Sequence, residues 1–308
     1  MGMESYPRSQ AEFDSLFSSE EASRRYIATL RWPEGFRCPR CGHDQAWLKR
    51  QHTLYICRQC DVQTSLTAGT IFHDTRQPLQ RWLRAIWYIT NQKNGVSALG
   101  FQRAMGFGSY HTAWAWLHKL RQAMVRPERD RLAGTVQIDE TYFGGPKPGH
   151  RGRGAEGKTL GLVMVEHHEK RLGRIRLCLA ADPTPNTLEP LIRAMVTPES
   201  LIETDGWGGY SGLTHLGFRH VVMRQTGTVG DDPLPQVHLV ISLLKRWLLG
   251  THQGAVQPTH LEYYLDEFTF RFNRRTSTHR GKLFYRLVQQ AVQVGPVREC
   301  DLRARQAK

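Results

Sequence analysis

The sequence predicts a multidomain chain, with a small cysteine module, an all-helical segment and a C-terminal α/β domain. Three observations carry this. The pairs CPRCG at 38–42 and CRQC at 57–60 gather four of the six cysteines. From Pro78 to Met124 apolar residues recur at helical spacing, and beyond Gly134 the runs VQIDETYFGG, KTLGLVMVEHH and RIRLCLA are short and β-rich. The expected divisions are a helical segment at 1–35, the cysteine ribbon at 36–70, a helical region at 78–126, the α/β domain at 134–290 and a basic tail at 291–308.

Composition narrows the function. A chain of 308 residues with 40% hydrophobic content builds at least one sizeable core, which excludes a peptide hormone or a disordered tail. Lys and Arg number 42 against 28 Asp and Glu, a net +14 that attracts polyanions, nucleic acid first. The opening MGMESYPRSQAEFD lacks the basic start and apolar run of a signal peptide, and no stretch approaches about 18 uncharged apolar residues, so neither export nor a membrane partner is expected. Cys178 and Cys300 stand apart from the other four cysteines, a poor disulfide framework that suits a reduced, cytoplasmic setting.

The first element is a helix over 10–30, with Phe13, Leu16 and Phe17 on one face, then Tyr26, Ile27 and Leu30, closed by Trp32-Pro33. In the module that follows, each Cys-x-x-Cys knuckle presents two thiolates to one ion. Four soft thiolates select tetrahedral zinc, held by Cys38, Cys41, Cys57 and Cys60, and leave no position open for substrate; the ion is therefore structural. An iron or redox role is the competing reading, although redox pairs usually open a helix beside a βαβ unit. The ribbon binds DNA on one reading, and a protein or nothing on the other. His43 and His52 are read as surface residues.

The segment GVSALGFQRAMGFGSYHTAWAWLHKLRQAM has the form of a helix-turn-helix. Ser97 and Ser109 are placed to cap its two helices, with Gly106 to Gly108 between them. Tyr110, His111 and Thr112 then open a recognition helix, with Lys119 and Arg121 near backbone phosphates; Ala113, Trp114, Leu117 and Leu120 form the apolar stripe. Three-helix bundles of this kind also occur without DNA.

In the α/β domain the expected order is three strands, a helix opened by the capping box Asn186-Thr187-Leu188-Glu189, the strand SLIETD, a short helix, a strand over 217–222 and a helix over 235–249. Asp139 ends one strand and Asp205 another. If the two are parallel neighbours, both carboxylates leave the same sheet edge, the usual ligand-bearing end of an α/β sheet. Phosphoryl transfer assisted by two hard cations roughly 3.5–4 Å apart needs such a convergence. A strand-terminal Asp before glycine is also ordinary turn chemistry. On the last helix Val237, Val240, Ile241, Leu244 and Leu248 form a buried stripe, and His238 and Lys245, seven apart and about 20° different in azimuth, share the other face. His238 is a metal ligand on one reading and a satisfied histidine on the other. Glu140 points away from Asp139 and ranks as an accessory acid, while Asp231 and Asp232 are reserve ligands.

The loop PKPGHRGRGAEGK brings Lys147, Arg151 and Arg153, which either close over phosphates or remain a solvated hairpin. Residues 271–308 hold ten basic and two acidic side chains interleaved with Phe272, Phe284 and Tyr285, so part of the segment should fold and present Arg274 and Arg275 to phosphate.

These blocks, CPRCG…CRQC, TSLTAGTIFHDTRQPLQRWLRAIWYIT, DETYFGG, TDGWGGY, LLKRWLLGTH and LDEFTFRFNRR, resemble in matching order bacterial insertion-sequence transposases that join a zinc ribbon to a DDE-type catalytic domain. The resemblance implies a ribonuclease-H-like domain with a mixed sheet, an ISXO2-like transposase domain, and metal-dependent cleavage and strand transfer at the ends of an element. It places the two family aspartates on Asp139 and Asp205 and the lysine of the last helix on Lys245. The third position, commonly acidic or asparagine, falls on His238. Also implied are Mg2+ or Mn2+ at Asp139, Asp205 and His238, double-stranded DNA as partner, at least a dimer to hold two ends, and a bacterial, nucleoid-associated location. The competing function is a DNA-binding regulator whose catalytic-looking domain is inert; a host nuclease is a third.

Overall fold

The computed structural model describes residues 5–49, 53–126, 129–144, 158–169, 171–225, 227, 230–254, 256–298 and 301–302. It divides into two compact units. One combines the chain up to Arg126 with the segment from Thr276 onward; the other runs from Pro127 to Arg275.

In the first unit the helix expected over 10–30 is two, α1 (Gln10–Leu16) and α2 (Glu20–Arg31). The break lies at Ser19, whose hydroxyl accepts from the Ala22 N–H and so ends one helix by starting the next. The cysteine module is an antiparallel meander of β1 (Ala46–Lys49), β2 (Leu54–Cys57) and β3 (Gln63–Ser65). Next come α3 (Leu79–Asn91), α4 (Ala98–Met105) and α5 (Tyr110–Ala123). Pro78 offers α3 no side-chain cap, and the Glu20 carboxylate takes that place by accepting from the N–H groups of Leu79 and Gln80 at 3.0 and 2.9 Å. Ser97 and Ser109 cap α4 and α5, and Gly106, at φ 63°, closes α4 in the left-handed conformation that glycine adopts without cost. The rings of Trp82 and Trp116 stack at 3.5 Å and lock α3 to α5, so Trp116 is a packing residue.

The second unit is built on a five-stranded mixed sheet. β4 (Thr135–Phe143), β5 (Thr159–His168) and β6 (Arg171–Ala180) run antiparallel, while β7 (Leu201–Thr204) and β8 (Arg219–Val222) are added in parallel on the other side of β4; the order is β6-β5-β4-β7-β8. The helix α6 (Pro185–Met195) joins β6 to β7, and α7 (Pro235–His252) and α8 (Leu261–Phe272) follow the sheet. Thr184 is the N-cap residue of α6, two residues before the expected capping box, because Pro185 is already a preferred first helical residue; Glu189 accepts from the Gly212 N–H instead of reaching back. Alternation along β4 divides the core. Val136 and Ile138 pack with Leu188, Ile192 and Tyr210, while Phe143 lies on the side of Val237, Val240, Ile241 and Leu244.

The last helix, α9 (Arg280–Ala291), belongs to the first unit. The second unit thus ends at Arg275 and not at residue 290, the end expected of the α/β domain, and the packing of Phe284 gives the reason. That fully buried ring lies 5.7–6.1 Å from Phe13, Phe17, Tyr26 and Trp87. Of the expected basic tail, Val297 and Leu302 are buried. Among the described residues no helix is long and apolar enough to cross a membrane.

Candidate active site and cysteine cluster

β4 and β7 pair in parallel through Thr135↔Leu201, Val136↔Ile202 and Gln137↔Glu203. Continuing that register by two residues brings Asp139 level with Asp205. β4 does not end at Asp139, as the sequence suggested. It continues to Phe143 on the arm of β5, while β7 stops at Thr204, so the carboxylate stands where the sheet opens on one side. There the chain turns. Asp205 Oδ1 accepts from the Trp207 N–H at 3.0 Å, and Gly206, at φ 79°, lies where a Cβ would meet Val222 at 2.6 Å.

Asp139 is 16% exposed at its side chain and accepts from the Glu140 N–H. Burial pushes its carboxyl up to about 6, with the charges of Glu140 and Asp205 adding to the shift and His238 opposing it. His238 Nε2 stands 3.3 Å from Asp139 Oδ2, and Nδ1 lies 2.6 Å from Asp232 Oδ1. One turn-pair further along α7, burial lowers the Lys245 ammonium, the Asp139 charge raises it and Lys158 lowers it again. Glu140 faces the opposite side of the sheet, as alternation requires, and accepts from the Tyr210 hydroxyl at 2.6 Å.

Asp139 and His238 are thus adjacent, and Asp205 and Lys245 are within electrostatic reach of Asp139. The three candidate ligands do not close to ligation distance. Among the described residues only Cys38, Cys41, Cys57 and Cys60 bring three or more ligand atoms within 4.8 Å of one another. The donor chemistry at Asp139 nevertheless fits a divalent cation. A desolvated carboxylate with two acidic neighbours and one imidazole opposing them has more acceptor than donor charge, and a cation relieves that excess.

The cysteines form a tetrad. Cys38 Sγ and Cys60 Sγ are 3.5 Å apart, as are Cys41 Sγ and Cys57 Sγ. Tetrahedral zinc with Zn–S bonds of about 2.3 Å separates its sulfurs by about 3.8 Å, so the four thiols fit one zinc ion. Burial opposes ionisation of Cys38, but hydrogen bonds from the backbone at Cys41 and Arg40 outweigh it and bring the thiol down to about 6.

Residues 131–273 match the family model of the ISXO2-like transposase domain, and residues 18–63 match that of the transposase zinc-ribbon domain, together well over half of the chain. The chain belongs to this family of insertion-sequence transposases. It is also 25% identical over 277 residues to a protein described as uncharacterized in transposable element ISH50 of Halobacterium salinarum, covering 83% of this chain and 91% of that relative. The transposase-domain match nearly coincides with the second unit and includes Asp139, Asp205, His238 and Lys245. The zinc-ribbon match includes all four cysteines of the tetrad.

The candidate DNA contacts of this transposase separate into groups. Tyr110, His111 and Thr112 are exposed at the N-terminus of α5, with Lys119 partly buried. Arg121 is corrected: it is 2% exposed and lies 3.5 Å from His118, because it follows Trp114, Leu117 and His118 by seven, four and three residues on the inward face. Arg274, half-buried, and Arg275, exposed, have partners within the second unit. Their guanidiniums lie over Phe270 and Phe272, both at 4.1 Å; Arg274 donates to the Phe270 carbonyl, and Arg275 donates to the carbonyls of Phe272, Gly173 and Leu172, joining the end of α8 to β6. Lys147, Arg151 and Arg153 lie outside the described residues.

One residue of the site escaped sequence reading. Gln137 is buried on the Asp139 face of β4, donates to Glu203 Oε2 at 2.9 Å, and accepts at Oε1 from the N–H groups of Gln236 and Val237 at 2.9 and 3.1 Å. It caps α7 and sets where His238 begins. The only sequence signal is a polar residue two positions before Asp139 in an apolar strand. In this transposase Gln137→Leu leaves two N–H groups without their acceptor and is expected to cost about 1–3 kcal/mol in chemical denaturation, and Gln137→Glu should also destabilise, because it sets a buried carboxylate against Glu203 in place of the amide donor.

Proposed function

We propose that this transposase cuts DNA at the ends of its element and joins the ends to a target, using a ribonuclease-H-like second unit. What supports this is that α7 sets His238 3.3 Å from Asp139, and that Asp205, two residues past the last β4–β7 pair, is near enough for its charge to raise the Asp139 carboxyl. The strand order, three antiparallel strands extended by two parallel ones, supports the fold.

Asp139, Asp205 and His238 would hold the divalent cation, Mg2+ or Mn2+. When bound, it withdraws charge from the phosphodiester and activates water or a 3′-hydroxyl as nucleophile. Asp139 contributes the central carboxylate, and His238 offers one nitrogen and no charge. Lys245 pairs with a phosphate of the flanking strand. Exposed Tyr110, His111 and Thr112 at the start of α5, with Lys119, serve as a helix-turn-helix contact with the duplex, beside a ribbon folded on zinc. Holding two ends at once calls for at least a dimer.

The test is a duplex carrying the element's ends, incubated with the full chain and Mg2+ or Mn2+. Nicked ends and end-to-target joints are expected on a sequencing gel. Retarded but intact DNA in both metals would leave a regulator, and cutting without joining would leave a nuclease.

A further inference from the structure

An imidazole has two unlike nitrogens. In the neutral ring one keeps the proton, and only the other can offer a lone pair. At His238 each nitrogen faces a carboxylate, Asp232 at Nδ1 and Asp139 at Nε2, so the two carboxylates compete to decide the tautomer.

The geometry favours Asp232. Its Oδ1 is 2.6 Å from Nδ1, against 3.3 Å for Asp139 on the other side. Asp232 is also held in place: the same Oδ1 accepts from the Leu234 N–H at 3.0 Å, which fixes the carboxylate in the turn that opens α7, between Asp231 and the Pro233-Leu234-Pro235 stretch. A residue six positions ahead of His238 is not its helical neighbour, so this contact depends on the turn and not on α7 itself.

We propose that Asp232 is a positioning residue for the metal site: it keeps the proton of His238 on Nδ1 and turns the Nε2 lone pair toward Asp139. This rests on the reading that Asp139, Asp205 and His238 hold a divalent cation. Neutral histidine adds no charge to the site, and Asp232 supplies a negative charge one bond further out, behind the ring. A carboxylate behind a ligating histidine raises its basicity and fixes its orientation, and losing such a partner typically weakens metal binding about 10–100-fold.

Two measurements on the full, zinc-loaded chain test the proposal. In long-range 1H–15N spectra at pH 8 without added Mg2+ or Mn2+, His238, assigned by its disappearance in His238→Gln, is expected as the Nδ1–H tautomer. In Asp232→Ala the proton should move to Nε2, where Asp139 accepts it. In titrations with Mn2+ alone, followed by electron paramagnetic resonance, Asp232→Ala should bind about 10–100-fold more weakly. Asp232→Asn, which keeps an acceptor for Nδ1–H and for the Leu234 N–H, should retain the tautomer and recover part of the affinity.

Wild-type chain that binds no Mn2+ sensitive to Asp139→Asn would overturn the underlying metal site. If Mn2+ binding requires Asp139 while Asp232→Ala leaves tautomer and affinity unchanged, the positioning role alone fails. It fails equally if Asp232→Asn loses as much affinity as Asp232→Ala with the tautomer intact, since Asp232 would then be a ligand itself.

Discussion

Asp139→Asn is expected to abolish cutting and joining and, in protein free of Mg2+ and Mn2+, to make the chain harder to unfold. The two effects have one origin. The Asp139 carboxyl is pushed up to about 6 from its ordinary 3.8, first by burial and then by Glu140 and Asp205. Between those values the folded chain binds more protons than the unfolded one, so stability falls as pH rises through that window and the loss is complete above about 6. With the side chain only 16% exposed, the cost at pH 7 is on the order of 2–3 kcal/mol. Asparagine keeps the shape and carries no charge, so that cost disappears. The cation can no longer be held at full strength, and loss of its charge stabilisation should slow cleavage at least about a thousandfold. Urea unfolding at pH 5 and pH 8, with ribbon zinc retained, checks the first part and the end-cleavage gel the second. A variant that cuts normally, or is less stable than wild type at pH 8, would contradict this account of the site.

The second large effect is expected at the ribbon. Cys38 and Cys57 are buried, and the sheet around them has three strands of four, four and three residues, too small to persist on its own burial. Structural zinc contributes about 10–16 kcal/mol of apparent binding free energy in such modules, most of which is folding energy. Cys57→Ser should take the zinc content from one ion per chain to none, expose the backbone amides of β2 to fast hydrogen exchange, and abolish retardation of element-end DNA. Elemental analysis by mass spectrometry reads the first and exchange mass spectrometry the second. A full zinc complement in Cys57→Ser, with β2 still protected, would show that the tetrad is not what holds this sheet.

The parts of the molecule legible in the sequence are those where one short pattern carries the physics. The two Cys-x-x-Cys knuckles, the apolar stripe of α7 and the run ahead of Asp139 each declare themselves locally. The serine caps at Ser97 and Ser109 are of the same kind. What was not legible depends on partners remote in the chain. The register that aligns Asp139 with Asp205 is set by three residue pairs between strands far apart. Gln137 acquires its role only because α7 begins at its tip. Arg121 read as a phosphate contact, although its helical phase matches the buried face. Arg274 and Arg275 read as phosphate contacts because charge is visible in a sequence, while the carbonyls of Gly173 and Leu172 that receive Arg275 are not.

The placement of α9 bears on how the polypeptide is born. The seat for Phe284 is made by Phe13, Phe17, Tyr26 and Trp87, all translated early, and its occupant is translated after the whole of the second unit. The N-terminal aromatic cluster must therefore wait on the ribosome, open, while an intervening unit is synthesised. A product interrupted anywhere before residue 280 would carry that greasy notch unfilled, however well its later strands had formed, and would be a natural client for chaperones and proteases.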